Sequence, residues 1–437
     1  LSMKEYAAEI PPGEQDEKLR RALAYRWVVW GVMVFAFMIV FFHRFAAGVV
    51  RDDITAAFSL SSAAFGSMAA MYFSAYMIMQ IPVGYLADTL GARITVTVGM
   101  FAAGAGSILF GLAPAPLWLF AGRFLVGLGV ATVFICIMKI QSQWFRNREF
   151  ATLSGATTLV GSVGGLLSQG PLALLIAVIS WRTGFIAIGG LTLGISFLCW
   201  WLIRNRPQDM GFPPVNERAI SHEGSPREPF TLLQGVRGVL SVRGMLPIII
   251  FYFSNQAGYY ALIGTWAIPW LVAANGLTVQ EASSYSVVLV LGSMLGGFFT
   301  GWISDRLGRR KSLMIIWGVL HAILWGIIVF PGGGALPAGW IRPLFFLLGI
   351  TNTSFVIAWS VAKDIAPEKY TGLAISVLNA AGFLAIALTT SLMGLIIDVF
   401  SALPPAQAYN RAFFLALATA LISVGGACFI PETGSKN

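Results

Sequence analysis

The chain has 437 residues, of which 57% are hydrophobic and only 11% are charged. A soluble protein carries roughly 25% charged residues, so this composition excludes an ordinary soluble domain. The charges fall between apolar stretches of about 20 residues, the length that crosses ~30 Å of hydrocarbon as a helix, whereas a membrane β-barrel needs alternating segments of about ten residues. We therefore predict an all-α membrane protein.

Twelve membrane spans are predicted, and the spacing of the charged loops sets their limits. In chain order they lie near 27–50, 63–87, 94–113, 117–140, 151–178, 183–203, 246–273, 284–303, 312–331, 340–363, 371–397 and 411–431. Residues 1–26 are polar and of mixed charge, which is not the pattern of a cleavable signal peptide. The predicted domains are a cytoplasmic N-terminal segment at 1–26, a six-helix bundle at 27–203, a linker at 204–245, a second bundle at 246–431 and a cytoplasmic C-terminus at 432–437.

The basic residues predict an orientation. Of the 28 Lys and Arg residues, 21 fall in the termini and in the loops after even-numbered spans, and only Arg51, Arg182, Arg342 and Arg411 fall near the other side. Cytoplasmic loops carry the excess of Lys and Arg, so both termini are predicted to be cytoplasmic, in the inner membrane of a cell. The same rule accounts for the net charge of +9, so no nucleic-acid partner is indicated.

One pattern occurs twice, as VGYLADTLGAR at 83–93 and TGWISDRLGRR at 300–310. Four positions coincide at a constant offset of 217: Gly84 with Gly301, Asp88 with Asp305, Gly91 with Gly308, and Arg93 with Arg310. The offset is half the chain, which predicts two six-helix repeats. Glycine permits tight turns and close helix approach, and Asp at a helix end can pair with Arg. We interpret these segments, with Arg309, as a conformational latch; plain orientation signalling is the alternative.

These segments resemble the loop motif of the major facilitator superfamily, G-x-L-A-D-R-x-G-R-R. The second copy is nearly complete, whereas the first has Thr89 and Ala92 where the motif has Arg, so its charge latch should be weaker. GRFLVGLG at 122–129, in which Arg123 opens span 4, resembles a second motif of the family, and we group Arg123 with the latch. The resemblance covers the whole chain and implies two pseudo-symmetric bundles around a central cavity, with alternating access.

Three basic residues fall inside predicted spans: Arg44 in span 1, and Arg123 and Lys139 in span 4. A buried cation without a partner is costly, and no Asp or Glu occupies the middle of a predicted span. Either Arg44 is neutralised by backbone carbonyls and water, or its counter-ion is the substrate. We favour the second interpretation, which makes the ligand an anion. Arg123 fits a structural role as well, and Lys139 could extend to the membrane surface.

The segment from Leu60 to Arg93 resembles the organic anion:cation symporters of this superfamily, which handle hexonates, phthalate, phosphate and acidic sugars. Members commonly read Asp-Arg in span 1 and Tyr-x-x-x-Gln-I-P-x-G in span 2. Arg44 matches the arginine that binds the substrate anion, and Tyr76 with Gln80 matches the second element. The resemblance also implies cavity positions for Lys139 in span 4 and Asn379 in span 11.

Two positions depart from that branch. His43 stands where relatives carry the acid before the span 1 Arg, and Val130 stands where they carry a Glu in span 4. The usual proton carriers are therefore absent, and proton symport does not transfer directly. An unperturbed histidine titrates near pH ~6.5, so we hypothesise that His43 titrates when an anion binds Arg44. A histidine that is hydrogen-bonded within the bundle is the alternative.

The C-terminal half contributes uncharged polar and aromatic candidates. They are Asn255, Gln256, Tyr259 and Tyr260 in span 7, and Asn352, Thr353, Ser354 and Trp359 in span 10. A cation on one half and neutral groups on the other suit a carboxylate with hydroxyls or another polar tail, since Arg grips a carboxylate through two parallel hydrogen bonds. The candidate substrate residues are thus His43, Arg44, Tyr76, Gln80, Lys139, Asn255, Tyr259, Asn352, Trp359 and Asn379.

The predicted function is secondary active transport of a small organic anion, coupled to protons or another ion. The alternatives are an exchanger of organic anions or sugar phosphates, which needs no proton carrier, and a nutrient sensor on the same fold. An enzyme is not indicated, since the sequence shows no nucleotide loop or nucleophile–base pair. The three cysteines are single and lack metal-ligand spacing, so no metal or cofactor is predicted. We expect a monomer in the lipid bilayer.

Overall fold

The computed structural model describes residues 12–215, 232–330, 335–367 and 370–433. Within these ranges the chain is helical and contains no strand. Its long helices are Pro12–Phe45, Ser62–Met79, Ala92–Gly111, Pro116–Trp144, Asn147–Leu167, Trp181–Leu202, Met245–Ala261, Val279–Leu307, Arg310–Val329, Ala338–Asn352, Thr371–Val399 and Pro405–Cys428. These twelve helices begin or contain spans 1 to 12, and in the described part eleven spans are long and apolar enough to cross a membrane.

Several spans are interrupted, and shorter helices complete them. Span 1 continues through a 3-10 turn, Ala46–Val50, into Arg51–Phe58. Span 7 contains a π-helical segment, Leu262–Trp266, before its last helix, Ala267–Asn275. The remaining completing helices are Pro82–Thr89 in span 2, Gly170–Val178 in span 5 and Phe355–Ile365 in span 10. Prolines at the first turns of the span 2 and span 5 segments account for two of these breaks, because Pro cannot continue a preceding helix.

The first helix begins at Pro12, which is 15 residues before the predicted start of span 1 at residue 27. The added part is rich in charged residues, so hydropathy alone does not detect it. Residues 1–11, 216–231 and 434–437, which include the middle 16 residues of the predicted linker, lie outside the described part. Within 232–245, the structure places a short helix, Leu232–Leu240, against spans 7 and 11.

Twelve crossings put both ends of the described chain on one side, which we call the terminal face; the opposite side is the far face. Near the far face one hydrophobic core joins residues of both halves, among them Phe45, Phe65 and Trp266. Toward the terminal face two separate cores replace it. One lies mainly in spans 1 to 6 and the other in the second half. The halves are therefore sealed together at the far face and part toward the terminal face.

At the far face the backbones of the two halves lie in close contact, and we call this set of contacts at Gly48, Gly66 and Gly394 the far-face seal. A Cβ on Gly66 of span 2 would lie 2.7 Å from the Thr390 carbonyl oxygen of span 11, and a Cβ on Gly394 would overlap the Ser62 carbonyl. Between spans 1 and 7, a Cβ on Gly48 would lie 3.1 Å from the Thr265 carbonyl oxygen. Small residues at such positions allow helices to approach until their backbones touch.

One carboxylate joins the halves at the same face. Asp398, at the end of span 11, accepts hydrogen bonds from the backbone N–H groups of Ser62 (2.8 Å) and Ala63 (2.7 Å). These are the first N–H groups of the span 2 helix, which have no partner within the helix. A carboxylate there also interacts favourably with the helix dipole. Asp398 of one half thus caps a helix of the other.

We expect Asp398→Asn to weaken the far-face seal by about 1 kcal/mol, because it removes the charge that faces the span 2 helix end. The measurement is the rate at which a maleimide modifies Thr390→Cys, a buried far-face position, in a protein whose three native cysteines are replaced. About a fivefold faster reaction is expected. Asp53→Asn, an exposed carboxylate beyond span 1, is the matched control. Equal rates in the two variants would contradict the assignment.

Candidate functional site

Arg44 lies in span 1 where the two halves begin to part, and its side chain is buried. Among the described residues it has no carboxylate within ion-pair distance. Its guanidinium instead faces three aromatic rings. The distances from Cζ to the ring centroids are 4.7 Å for Phe41, 5.4 Å for Tyr76 and 5.4 Å for Phe383. Aromatic faces attract a cation, but each does so less strongly than a carboxylate would.

Hydroxyl groups complete the surroundings of this guanidinium. The phenol oxygens of Tyr72, Tyr76 and Tyr260 lie within its electrostatic reach. Its Nε–H is buried and has no hydrogen-bond partner. An arginine carries five N–H donors in a fixed fork, and a buried donor without a partner costs free energy. The guanidinium therefore has unused capacity for an acceptor, and a carboxylate or phosphate oxygen is its preferred acceptor.

The second half places a row of polar groups opposite. Tyr252, Gln256 and Tyr260 repeat every four residues and so share one face of span 7. Tyr252 donates to Asn379 Oδ1 (3.1 Å), and Trp359 Nε1 donates to the same oxygen (3.2 Å). Because two donors hold the oxygen of Asn379, its amide nitrogen points elsewhere, and the residue is half-buried. That N–H₂ group can donate to a ligand oxygen.

His43 faces away from this space, toward span 6. Thr192 Oγ1 donates to the Ile188 carbonyl (2.8 Å), so it accepts from His43 Nε2, 3.2 Å away. The neutral ring therefore carries its proton on Nε2. Its other nitrogen, Nδ1, is buried without a partner. The structure thus separates His43 from the neighbouring Arg44 side chain, which faces spans 2, 7 and 11.

Arg123 and Lys139 are the other basic residues inside predicted spans, and each has a hydrogen-bond partner, although Nε and Nη2 of Arg123 are buried without one. Arg123 Nη1 donates to the His43 carbonyl (2.8 Å), and its guanidinium lies 5.0 Å from the Tyr72 ring centroid. Lys139 Nζ pairs with Asp88 Oδ1 and donates to the Ala87 carbonyl, both at 2.7 Å. Lys139 therefore lies with the predicted latch and not beside Arg44, whereas Arg123 lies inside the bundle, away from the other latch residues.

The two copies of the repeated loop share one backbone feature. Gly91 has φ +84° and Gly308 has φ +59°, and both lie where one helix ends and the next begins. Left-handed φ values favour glycine, which accounts for this pair of matched glycines. A Cβ on Gly91 would also meet the Asn205 side chain. By contrast, a Cβ on Gly84 or Gly301 would meet nothing within 4 Å, so neither makes a close helix contact in this conformation.

The charged residues of the latch pair within their own half. Arg310 forms an ion pair with Asp364 of span 10. Arg93 donates to the Trp200 carbonyl from Nε (2.9 Å) and Nη2 (2.7 Å). Arg309 is exposed, and the side chain of Asp305 lies outside the described part. None of these described pairs joins the two halves, in accord with their separation at the terminal face.

Four further predicted residues lie off the Arg44 site or one turn from it. In span 7, Asn255 donates to Ser354 (3.1 Å) and Tyr259 donates to the Leu289 carbonyl (3.3 Å), so both face spans 8 and 10 inside the second half. Asn352 is buried, and neither atom of its amide has a described partner. Gln80 is buried one turn after Tyr76.

The sequence prediction missed four residues around the site: Phe41, Tyr72, Tyr252 and Phe383. The signal was present, since Tyr72 precedes Tyr76 by four residues and Phe383 follows Asn379 by four. Residues four apart share a helix face. Residues three apart do so as well, so extending each predicted site residue by one turn in both directions identifies all four.

Similarity to known proteins extends over nearly the whole chain. The sequence pattern of the Major Facilitator Superfamily matches residues 33–390 and 248–437. A probable sulfoacetate transporter of Cupriavidus necator is 23% identical over 87% of this chain and 89% of its own length. A hexuronate transporter of Bacillus subtilis is 27% identical over 81% of this chain and 82% of its own. Among solved structures, a POT family transporter in complex with 5-aminolevulinic acid shares the fold, with a TM-score of 0.73, 15% identity and coverage of 95% and 97%.

These similarities confirm the predicted fold class and the prediction of a transporter over an enzyme. The family pattern covers more than half of the chain, and the twelve spans form the two halves that the repeat predicted. The chain belongs to the Major Facilitator Superfamily of membrane transporters.

Proposed function

We propose that this protein is a secondary active transporter of a small organic anion whose carboxylate binds Arg44. The observation that carries the proposal is a buried guanidinium, placed between the two halves, that has no described carboxylate partner and an unpartnered Nε–H. A substrate carboxylate would supply the missing counter-ion and two acceptor oxygens. Charge balance in the site would then depend on the substrate, which is what a carrier selective for anions requires.

The arrangement of the second half supports an anion with one carboxylate and a hydroxyl-bearing tail. The groups opposite Arg44 are the neutral Tyr252, Gln256, Tyr260, Trp359 and Asn379. A second carboxylate would meet no cation among them, whereas hydroxyls would find both donors and acceptors. The named relatives are a hexuronate transporter and a probable sulfoacetate transporter. Of these, the hexuronate, with one carboxylate and several hydroxyls, fits the single described cation better.

Transport in this proposal follows alternating access between the halves near 27–203 and 246–431. The far face is sealed and the terminal face parts, so the present conformation opens toward the terminal face. With the termini in the cytoplasm of a bacterial cell, as the basic residues predict, this is the inward-facing state. The repeated loops would come together when the terminal face closes, which would use Gly84 and Gly301, free of close contacts at present.

Two alternative functions make different use of the same site. An anion exchanger needs no proton carrier, and the described spans place no carboxylate beside Arg44, which favours exchange over proton symport through a carboxylate. A sensor would bind the anion without net flux. Uptake of a labelled anion into proteoliposomes loaded with the unlabelled anion separates the two, because an exchanger takes up the label and a sensor does not.

Replacing Arg44 tests the site directly. We expect Arg44→Ala to weaken binding of D-glucuronate by about 10- to 100-fold, since a hydrogen bond to a charged group is worth ~1.5–3 kcal/mol. Arg44→Lys should recover only part of the affinity, because an ammonium lacks the two-pronged fork. Binding is measured as the anion-dependent rise in melting temperature of the purified protein. Arg342→Ala, on a far-face arginine that stacks on Tyr285, is the control.

The same melting-temperature measurement is made with a panel of three anions: D-glucuronate, D-glucarate and sulfoacetate. Stabilisation by these anions that persists unchanged in Arg44→Ala would refute the site.

Asn379 tests the proposed hydroxyl contact. Asn379→Ala should reduce affinity for D-glucuronate about tenfold and affinity for sulfoacetate, which has no hydroxyl groups, much less. Tyr252→Phe removes one hydrogen bond to Asn379 Oδ1 but keeps the amide nitrogen, so it serves as the matched variant and should lose less. Equal losses of affinity for both anions would show that Asn379 does not bind the hydroxyl groups of the substrate.

We also propose His43 as the proton-binding group of a coupled transporter. The Nδ1 atom of His43 is buried without a partner and can accept a proton. The positive charge of Arg123, which donates a hydrogen bond to the His43 carbonyl, disfavours this protonation. We expect His43→Gln to transport the anion but to lose the acceleration that an inward proton gradient gives the parent. Uptake into proteoliposomes with and without the gradient measures this. Full gradient dependence in His43→Gln would remove His43 from coupling.

A further inference from the structure

Phe383 belongs to span 11, in the second half, but its ring lies among residues of the first. It stacks on Tyr76 with centroids 4.1 Å apart and planes at 29°, and it lies nearly parallel to Phe73 at 6.5 Å. The same ring also makes a cation–π contact with Arg44, whose guanidinium carbon lies 5.4 Å from the ring centroid. One side chain therefore touches both the anion-binding residue and the first-half wall that surrounds it.

The neighbours of Phe383 on span 11 reinforce this placement. Ile386 and Ala387 are buried in the hydrophobic core of the first half, and Phe383 packs against the same core. Tyr76 and Arg44 belong to spans 2 and 1, so the ring links two first-half spans to span 11. This link lies on the terminal-face side of the backbone contacts at Gly66 and Gly394. If the halves rock apart at the far face, span 11 has to withdraw this ring.

We propose that Phe383 acts as an occupancy lock, which keeps the empty carrier closed at the far face until an anion binds Arg44. In the empty protein the guanidinium has no described counter-ion; it faces three rings, of which only Phe383 comes from the other half, and the phenol oxygens of nearby tyrosines. A bound carboxylate gives the guanidinium a stronger partner and weakens its dependence on the Phe383 ring. The inference rests on the proposed function for the role of the anion, but the lock itself acts in the empty protein.

This assignment gives Phe383 a role in transport distinct from packing. A carrier whose empty form reorients slowly exchanges anions faster than it moves them in one direction. Phe383 would thus favour exchange over net flux. A leucine at this position keeps apolar contact but has no π face for the guanidinium, whereas a tyrosine keeps the face.

The first experiment needs no anion. Thr390→Cys, buried at the far-face contact between spans 2 and 11, is treated with maleimide in nanodiscs in the absence of ligand. We expect Phe383→Leu to accelerate modification five- to tenfold and Phe383→Tyr to leave it within twofold of the parent. Leu388→Ala, exposed on the same helix, is the control for general loosening. Equal rates in Phe383→Leu and the parent would overturn the lock.

The second experiment adds D-glucuronate, or whichever panel anion raises the parent's melting temperature most. The anion should accelerate modification in the parent severalfold and have little further effect in Phe383→Leu. In proteoliposomes the ratio of exchange to one-way efflux should fall at least threefold in Phe383→Leu. If no panel anion binds the parent, the proposed function fails, while the anion-free rates still decide the lock. If an anion binds without changing the rate at which maleimide modifies the parent, the proposal that anion binding releases the Phe383 contact is wrong.

Discussion

The described structure depends on a buried cation, Arg44, that lies between the two halves and has no described counter-ion. Placing Arg44 inside the membrane is costly, and the protein meets that cost with aromatic faces and phenol oxygens drawn from both halves. A carboxylate in their place would hold the arginine more firmly and would leave it nothing to bind. The weak, distributed partners keep the guanidinium desolvated and oriented while its hydrogen-bonding capacity stays available. The same choice explains why the opposite wall is polar but neutral, since a second fixed charge there would pair with Arg44 directly.

The two faces of the molecule are closed by different kinds of interaction. At the far face, contacts are between backbones and between a carboxylate and a helix end, and they tolerate little change in side-chain size. At the terminal face, the described ion pairs lie on the surface of single halves, where each contributes at most about 1 kcal/mol. In the proposed alternating access, closing the terminal face would replace these backbone contacts with contacts between charged side chains. The present state uses the first set and leaves the second unused between halves.

The sequence predicted what composition and periodicity determine. The twelve spans follow from hydropathy, and the matched glycines, Gly91 and Gly308, follow from the repeat at an offset of 217, whereas their left-handed φ values come from the structure. The burial of Arg44 follows from its place inside an apolar span, and the structure confirms it. The direction in which a side chain points was harder to predict, because it depends on helix rotation. Lys139 forms an ion pair with Asp88 and does not lie beside Arg44. Tyr259 faces span 8, while its neighbour Tyr260 faces Arg44.

The π-helical segment of span 7 has a consequence for how this wall is built. Tyr260 stacks on Phe45 of span 1, and Thr265 meets Gly48 of the same span. In a regular α-helix, residues five apart point about 140° away from each other, so the two could not both face span 1. The wider turn at Leu262–Trp266 brings them back into line. The extra residue in this turn thus lets the part of span 7 that faces Arg44 and the part that forms the far-face seal lie on the same side of one helix.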